Sequence, residues 1–136
     1  MRRISPFLFA LLLSAASSPL RAADASFDAV VSADGSGTHT NLQAAINAAP
    51  DDGTNTFRIL IKPGTYPGQF MVPKSKRHIR FVGSGFENTF LTYPFNVREA
   101  PPGETYSFNP GTVIVGDDFR AGKITFENTS GDHGQA

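Results

Sequence analysis

The chain has 136 residues, enough for one domain, with 12 basic residues, 12 acidic residues and no cysteine. The lack of cysteine excludes disulfides, thiolate chemistry and zinc sites built on cysteine.

The first residues predict a secretory signal peptide. Arg2 and Arg3 precede a short apolar run, PFLFALLL (6–13), and a stretch rich in small residues (14–23). A membrane span is the alternative, but this run is far shorter than the roughly 20 residues that a span needs. We expect cleavage near Ala22 or Ala23, with a signal peptide at 1–22 and a secreted domain, extracellular or periplasmic, at 23–136.

Removal of the signal peptide changes the charge of the chain. Arg2, Arg3 and Arg21 are lost, so nine basic residues remain against twelve acidic ones and the net charge becomes −3. Nucleic-acid-binding proteins usually carry a basic face, so this balance argues against such a partner. No later segment is apolar enough to cross a bilayer.

A short helix is predicted after the turn cluster at 34–37. Thr40 and Gln43 have the spacing of a capping box, and the helix is expected over 40–49, ending at the Pro-Asp-Asp-Gly run 50–53. One face carries an apolar stripe with helical spacing, made of Leu42, Ala45, Ile46 and Ala49.

The pattern then changes to a period of two, which predicts short strands with one buried face. Turn signals rich in glycine, proline, aspartate or asparagine follow most of these runs. The residues expected to face inward are Phe57, Ile59, Ile61, Ile79, Phe81, Val113, Val115, Ile124 and Phe126.

The spacing of these runs favours a solenoid. The interval from Ile59 to Ile79 is close to the length of one coil in many stacked-coil folds, roughly 20 residues. The longer interval from Ile79 to Val113 includes a Pro/Gly-rich stretch (98–111) that is interpreted as an inserted loop. A small β-sandwich, with strands every ~8–12 residues, remains the alternative on pattern alone.

The charged residues give few candidates for chemistry. Asp117 and Asp118 are adjacent, so their side chains should diverge, and a solvated turn fits them better than an acid–base pair. His39, His78 and His133 do not have zinc-ligand spacing. A basic cluster could meet an acidic polysaccharide or form a solvated loop between coils; it comprises Lys74, Lys76, Arg77 and Arg80.

Thr112 and Gln135 form the one pairing of interest. Thr112 has the opposite parity to Val113 and Val115, so it should point outward if they point inward. Gln135 follows Thr112 by about one coil of the expected solenoid. A hydroxyl and a carboxamide would then lie together on one exposed wall.

Four segments, in order, together resemble the pectin methylesterase (pectinesterase) family of carbohydrate esterases. They are VVSADGSGTHTNLQAAINAAP (30–50), ILIKPGTY (59–66), HIRFVGSG (78–85) and GDDFRAGKITFENTSGDHGQA (116–136). The resemblance implies an all-β fold, a right-handed parallel β-helix with a short N-terminal capping helix, here truncated at its C-terminal end.

The resemblance also implies a reaction. Family members hydrolyse the methyl esters of galacturonan through an attacking aspartate, a second aspartate as acid and base, two oxyanion glutamines and an arginine. No metal or other cofactor is required. Gln135 matches the first oxyanion glutamine and Thr112 a threonine that contacts substrate.

Two departures from the family pattern accompany these matches. The turn after Thr112 is one residue shorter than usual, and Gly68 stands where the family often has glutamate. The later catalytic aspartates and the arginine have no counterpart, and Asp117, Asp118 and Asp132 do not replace them. We therefore expect the N-terminal portion of a pectinesterase, inactive alone.

Further expectations concern partners. Methyl-esterified pectin is the expected partner, with no nucleic acid, no membrane after signal cleavage, and a monomer if the enzyme is complete. Two alternatives are a β-helical polysaccharide lyase, which would need a calcium-binding acidic cluster, and a non-catalytic polysaccharide-binding β-helix.

Overall fold

The computed structural model describes residues 26–94 and 111–131. The described elements, numbered here in chain order, are β1 (Ala29–Val31), α1 (Leu42–Ala48), β2 (Phe57–Ile61), β3 (Gly64–Pro67), β4 (Phe70–Val72), β5 (Ile79–Gly83), β6 (Thr89–Tyr93), β7 (Thr112–Ile114), β8 (Arg120–Gly122) and β9 (Thr125–Asn128).

The strands form three parallel sheets, with the orders β1-β2-β5-β8, β3-β6-β9 and β4-β7. Consecutive strands from β2 to β9 enter different sheets, so the chain passes through successive sheets and returns to the first one coil later. All described strand pairs are parallel. This is a parallel β-helix, as predicted, and not a sandwich built from hairpins.

The register gives the length of a coil. Ile59 of β2 pairs with Phe81 of β5, and Tyr66 of β3 pairs with Leu91 of β6. Both intervals are slightly longer than the interval from Ile59 to Ile79 that the sequence suggested. The predicted recurrence of strands is therefore confirmed for the first full coil.

One strand pairing that the sequence predicted was wrong. The Val113 strand was expected to follow Ile79 in the stack, but β7 pairs with β4, and β5 pairs with β8. The strands β2 to β4 and β5 to β7 each form one coil, and the alternation identified β2, β5, β7 and β9, which lie in three different sheets. It did not identify β3, β4, β6 and β8, so the order of strands within each sheet could not be predicted.

The core lies inside the stack of coils. Ile59, Ile61, Ile79 and Phe81 are buried, which confirms the predicted alternation in β2 and β5. The ring of Phe119 contacts that of Phe81 edge to face, with centroids 4.9 Å apart at 85°. Burial of each such side chain stabilises the fold by roughly 1.5–3 kcal/mol.

Helix α1 covers the N-terminal end of this core. All four residues of the predicted apolar stripe are buried, and the helix packs on β1, β2 and β4. Because the core of the first coil would otherwise meet water, this helix acts as the terminal cap that solenoids need. No helix in the described ranges is long and apolar enough to span a membrane.

The predicted capping box was wrong. The N-cap is Asn41, whose Oδ1 accepts a hydrogen bond from the Ala44 backbone N–H at 3.2 Å. Gln43 instead binds the backbone of Met71 in both directions: Oε1 accepts from Met71 N–H at 2.8 Å, and Nε2 donates to Met71 O at 2.9 Å. The side chain thus pairs with the free edge of β4, which explains why it does not fold back on its own helix.

Lys76 was expected in a solvated loop, and this too was wrong. The side chain is buried, and its ammonium donates hydrogen bonds to the carbonyls of Asn47 and Ala49 at the end of α1. It also lies 3.0 Å from the Asp51 carboxylate. A cation at a helix C-terminus satisfies unpaired carbonyls and complements the helix dipole, so Lys76 fixes α1 on the stack.

Candidate active site

The two residues predicted to form the site are described unequally. Thr112 is the first residue of β7. Gln135, together with Asp132 and His133, lies outside the described residues. The stacking of Gln135 on Thr112 and its oxyanion role therefore stay predictions.

The expected outward orientation of Thr112 was wrong. In register, Thr112 pairs with Phe70, which is buried, and Val113 pairs with Met71, whose exposed fraction is 50%. In-register partners in a parallel sheet project to the same face, so Thr112 faces inward and Val113 outward. The prediction failed because it took Val113 and Val115 as the inward residues, and an error of one residue in register moves every side chain to the opposite face.

Thr112 lines an open cavity of about 480 Å³ at the C-terminal end of the described stack. Phe70, Leu91, Ile114 and Phe126 give this cavity an apolar wall, and Glu127 contributes a carboxylate. Phe126 is aligned with Leu91 and faces inward as predicted, yet 47% of it is exposed. Its lining comes from the β3-β6-β9 and β4-β7 sheets, so the cavity lies where these two sheets meet.

The arrangement around Thr112 has limited chemistry of its own. Its hydroxyl can donate or accept a hydrogen bond. Glu127 is paired in register with Thr92 on the neighbouring strand β6. Among the described residues, no group of three or more histidines and carboxylates could hold a metal ion.

The adjacent aspartates serve a turn, as predicted. Asp117 lies 3.6 Å from the Arg77 guanidinium, while Asp118 lies 2.9 Å from His78 Nδ1 and 3.2 Å from Arg120. Hydrogen bonds from His78, and then from Arg120, hold the pKa of the Asp118 carboxyl below its ordinary value. Two carboxylates with separate cationic partners do not form an acid–base pair.

The departure at Gly68 has a conformational reason. Its φ is +136°, a value that side-chain-bearing residues rarely adopt. Its N–H donates to Thr92 O at 2.9 Å, which links the corner after β3 to the next coil. A glutamate at this position would be strained, so the coil is built around glycine here.

Sequence reasoning missed most of the residues that line the cavity, above all Tyr93 and Leu91 of β6. The signal was present but weak: TFLTY (Thr89–Tyr93) is rich in β-formers. It was overlooked because it lies shortly before the stretch 98–111, which was interpreted as an inserted loop. No equally long run of β-forming residues occurs about 20 residues earlier in the sequence.

Comparison with known proteins places this geometry among esterases. A sequence model of the family described as Pectinesterase matches residues 28–136. A pectinesterase of Daucus carota is 44% identical over 103 residues, covering 75% of this chain and 31% of the relative. Pectinesterase 1 of Citrus sinensis is 40% identical over 104 residues, covering 76% of this chain and 17% of the relative.

Solved structures give the same result. Pectin methylesterase from carrot superposes with a TM-score of 0.71 at 39% identity, covering 77% of this chain and 32% of that structure. A point mutant of a pectin methylesterase in complex with a hexasaccharide superposes with a TM-score of 0.62 at 25% identity, covering 78% and 32%. The chain thus spans about a third of the length of these solved structures.

Proposed function

This chain belongs to the pectinesterase family, and we propose on that premise that it supplies the N-terminal coils of an enzyme that hydrolyses the methyl esters of galacturonan. The observation that carries the proposal is the family match across residues 28–136, which includes every described coil. It favours an esterase over the alternative of a β-helical lyase.

The part played by these coils follows from their geometry. The capped N-terminal end, closed by α1, starts the stack, and the open end presents β7, β8 and β9 for further rungs. Ile114 and Phe126 expose apolar surface there, which further coils would bury. The chain therefore supplies a rigid base on which a catalytic wall can be built.

We also propose roles for individual residues in the whole enzyme. Gln135 donates a hydrogen bond to the oxyanion that forms when the ester carbonyl is attacked, and Thr112, although it faces inward, contacts the substrate through the open cavity that it lines. The complex of a related esterase with a hexasaccharide supports a pectin-type substrate. Export by the 1–22 signal peptide, with residues 23–136 as the mature part, completes the proposal and is checked by N-terminal sequencing of exported protein.

A chimera tests the proposed function. Residues 28–136 replace the matched coils of the carrot enzyme, and methanol release from methyl-esterified pectin is measured. We expect an active chimera and no methanol from the isolated chain. An inactive chimera with a parallel β-helix spectrum and a cooperative melt would overturn the proposal.

Two substitutions in that chimera separate the residue roles. Gln135→Leu removes an oxyanion donor and is expected to lower kcat by roughly 10²–10³-fold. Thr112→Val keeps the shape of the side chain and removes its hydroxyl, so a substrate contact would appear as a lower kcat/KM. An unchanged kcat/KM with unchanged thermal stability would show that the Thr112 hydroxyl only lines the interior.

A further inference from the structure

Three arginines stand in register on the outer face of the four-stranded sheet. Arg58 of β2 pairs with Arg80 of β5, and Arg80 pairs with Arg120 of β8. Their neighbours Phe57, Ile59, Ile79 and Phe81 face inward, so the three arginines project outward. Strands in a sheet are about 4.8 Å apart, so the backbone positions of the three arginines span roughly 10 Å.

This row is costly for the fold. Like charges placed directly opposite on neighbouring strands destabilise a sheet, and here the repulsion occurs twice. The alternation that buries the core requires only that these positions face water, and any polar residue would satisfy it. An arrangement that opposes local stability and that the core does not require is a sign of function.

The two ends of the row are held in place. Arg58 donates to Ser26 O at 2.9 Å, and its guanidinium lies 4.7 Å from the centre of the Phe27 ring. Arg120 donates to Asp118 Oδ1 at 3.2 Å. Within the described ranges, no ion pair involves the central Arg80. Fixed end groups reduce the entropy that a ligand must overcome on binding.

The surface beside the row suits a sugar chain. The next outward positions on the same strands are Leu60, Val82 and Gly122, which are also in register. Leu60 and Val82 are half-buried, and no atom lies within 4 Å of a Cβ built on Gly122. A low apolar strip therefore runs parallel to the cationic row, and the C–H faces of sugar rings could pack on it.

We propose that this face, formed by Arg58, Arg80 and Arg120 with the apolar strip Leu60–Val82–Gly122, binds de-esterified galacturonan. Such a chain carries one carboxylate per sugar, and a row of guanidinium groups binds carboxylates through charge-assisted hydrogen bonds. This inference rests on the proposed function, because de-esterified galacturonan is the product of that reaction. The face belongs to a different sheet from Thr112 and would hold the enzyme on polymer that is already demethylated.

Binding is measured by affinity electrophoresis of the full chain in gels that contain polygalacturonate. Arg80→Gln removes the central charge, and we expect affinity to fall roughly three- to tenfold. Arg77→Gln is the matched control, since Arg77 is an exposed arginine just before β5 but pairs with Asp117 and lies outside the row. Equal mobility of wild type and Arg80→Gln would overturn the proposal.

A second pair of variants tests whether removal of a competing carboxylate raises the affinity for polygalacturonate. Asp118→Asn removes a carboxylate that competes for Arg120, whereas Asp117→Asn makes the same change of net charge beside Arg77. We expect tighter binding for Asp118→Asn and little change for Asp117→Asn. Asparagine tolerates the φ of +53° at residue 118, so the variant should fold. Equal effects of the two variants would mean that only net charge matters, and would overturn the proposal.

Further ligands test the chemistry. Monomeric galacturonate and fully methyl-esterified pectin should bind weakly, and binding of polygalacturonate should weaken as salt is added. Equal or tighter binding of dextran sulfate or single-stranded DNA would show general polyanion affinity and overturn the assignment to a carboxylate polymer. These readouts need no esterase activity, so an inactive chimera with intact binding would reject the proposed function alone.

Discussion

The two ends of the coil stack differ in how they treat the core. At the N-terminal end, α1 covers the first coil, Gln43 pairs with the edge of β4, and Lys76 joins the helix to the next turn. At the other end, Ile114 and Phe126 leave more than two fifths of their surface exposed around an open cavity. The core of a coil is therefore shielded from water only by the element that stacks on it, which is either a helix or another coil.

The largest expected effect contrasts two phenylalanines. Phe81 is fully buried between coils, and Phe81→Ala should lower the free energy of unfolding by about 3–5 kcal/mol. Phe126→Ala, at the open end, should cost less than about 1 kcal/mol. Urea unfolding of the full chain measures both. Should Phe81→Ala fail to fold, Phe81→Leu, expected to cost about 1.5 kcal/mol or less, replaces it. Similar losses at both sites would contradict the contrast.

A smaller effect is expected at the junction between helix and turn. Lys76→Met keeps the aliphatic stem but leaves the carbonyls of Asn47 and Ala49 without their donor, which should cost about 1–3 kcal/mol. Lys74→Met is the control, because Lys74 is exposed and should change stability by less than about 0.5 kcal/mol. Equal melting temperatures of the two variants would show that Lys76 does not stabilise the helical cap.

The edge of β4 gives a third, local test. Gln43→Ala should cost about 1–2 kcal/mol and speed hydrogen exchange at the Met71 amide, which loses its acceptor. Gln43→Glu keeps an acceptor for that amide but loses the donor to Met71 O. We expect Met71 exchange to stay slow in Gln43→Glu. Slow exchange in both variants would show that α1, and not this side chain, protects the edge.

The smallest effect concerns pH at the turn before α1. Asp34 Oδ1 accepts from Ser32 Oγ at 2.5 Å and from Ser36 N–H at 2.8 Å, and these bonds hold the pKa of Asp34 well below its ordinary value of 3.8. Because the folded state favours the ionised form, this stability is present above pH 3.8 and is lost as pH falls through the lower folded pKa.

Asp34→Asn measures that contribution. The difference in urea midpoint between wild type and Asp34→Asn should be constant near neutral pH and shrink as the solution becomes more acidic than the ordinary pKa. Asp52→Asn, another exposed aspartate in a turn, serves as the control. A difference that grows on acidification would have the wrong sign for a depressed pKa.

The sequence was sufficient for the features that depend on repeated apolar positions. The stripe of α1 and the inward residues of β2 and β5 were correct because burial of several residues at a fixed period is a strong signal. The parallel β-helix followed from the spacing together with the family resemblance. Each of these features averages over many residues, so one exception does not alter it.

The predictions that failed each concern the exact position or the partner of a single residue. Thr112 was placed on the wrong face because one residue of register decides the direction of every side chain in a strand. Lys76 and Gln43 find their partners in other coils, and no local pattern encodes such contacts. The arginine row was invisible for the same reason: the interval from Arg80 to Arg120 is much longer than that from Arg58 to Arg80, so no fixed period connects the three.

The corner between β6 and β7 has a consequence for how such proteins diverge. A Cβ built on Gly111 would lie 2.6 Å from the Cβ of Tyr93, so the chain leaves the second coil and rejoins it at nearly one point. Extra length between neighbouring anchors adds closure entropy only as the logarithm of that length. The connection between β6 and β7 can therefore change in length or sequence during evolution while the strands on either side keep their register. New substrate specificity can be introduced at this connection without rebuilding the coils.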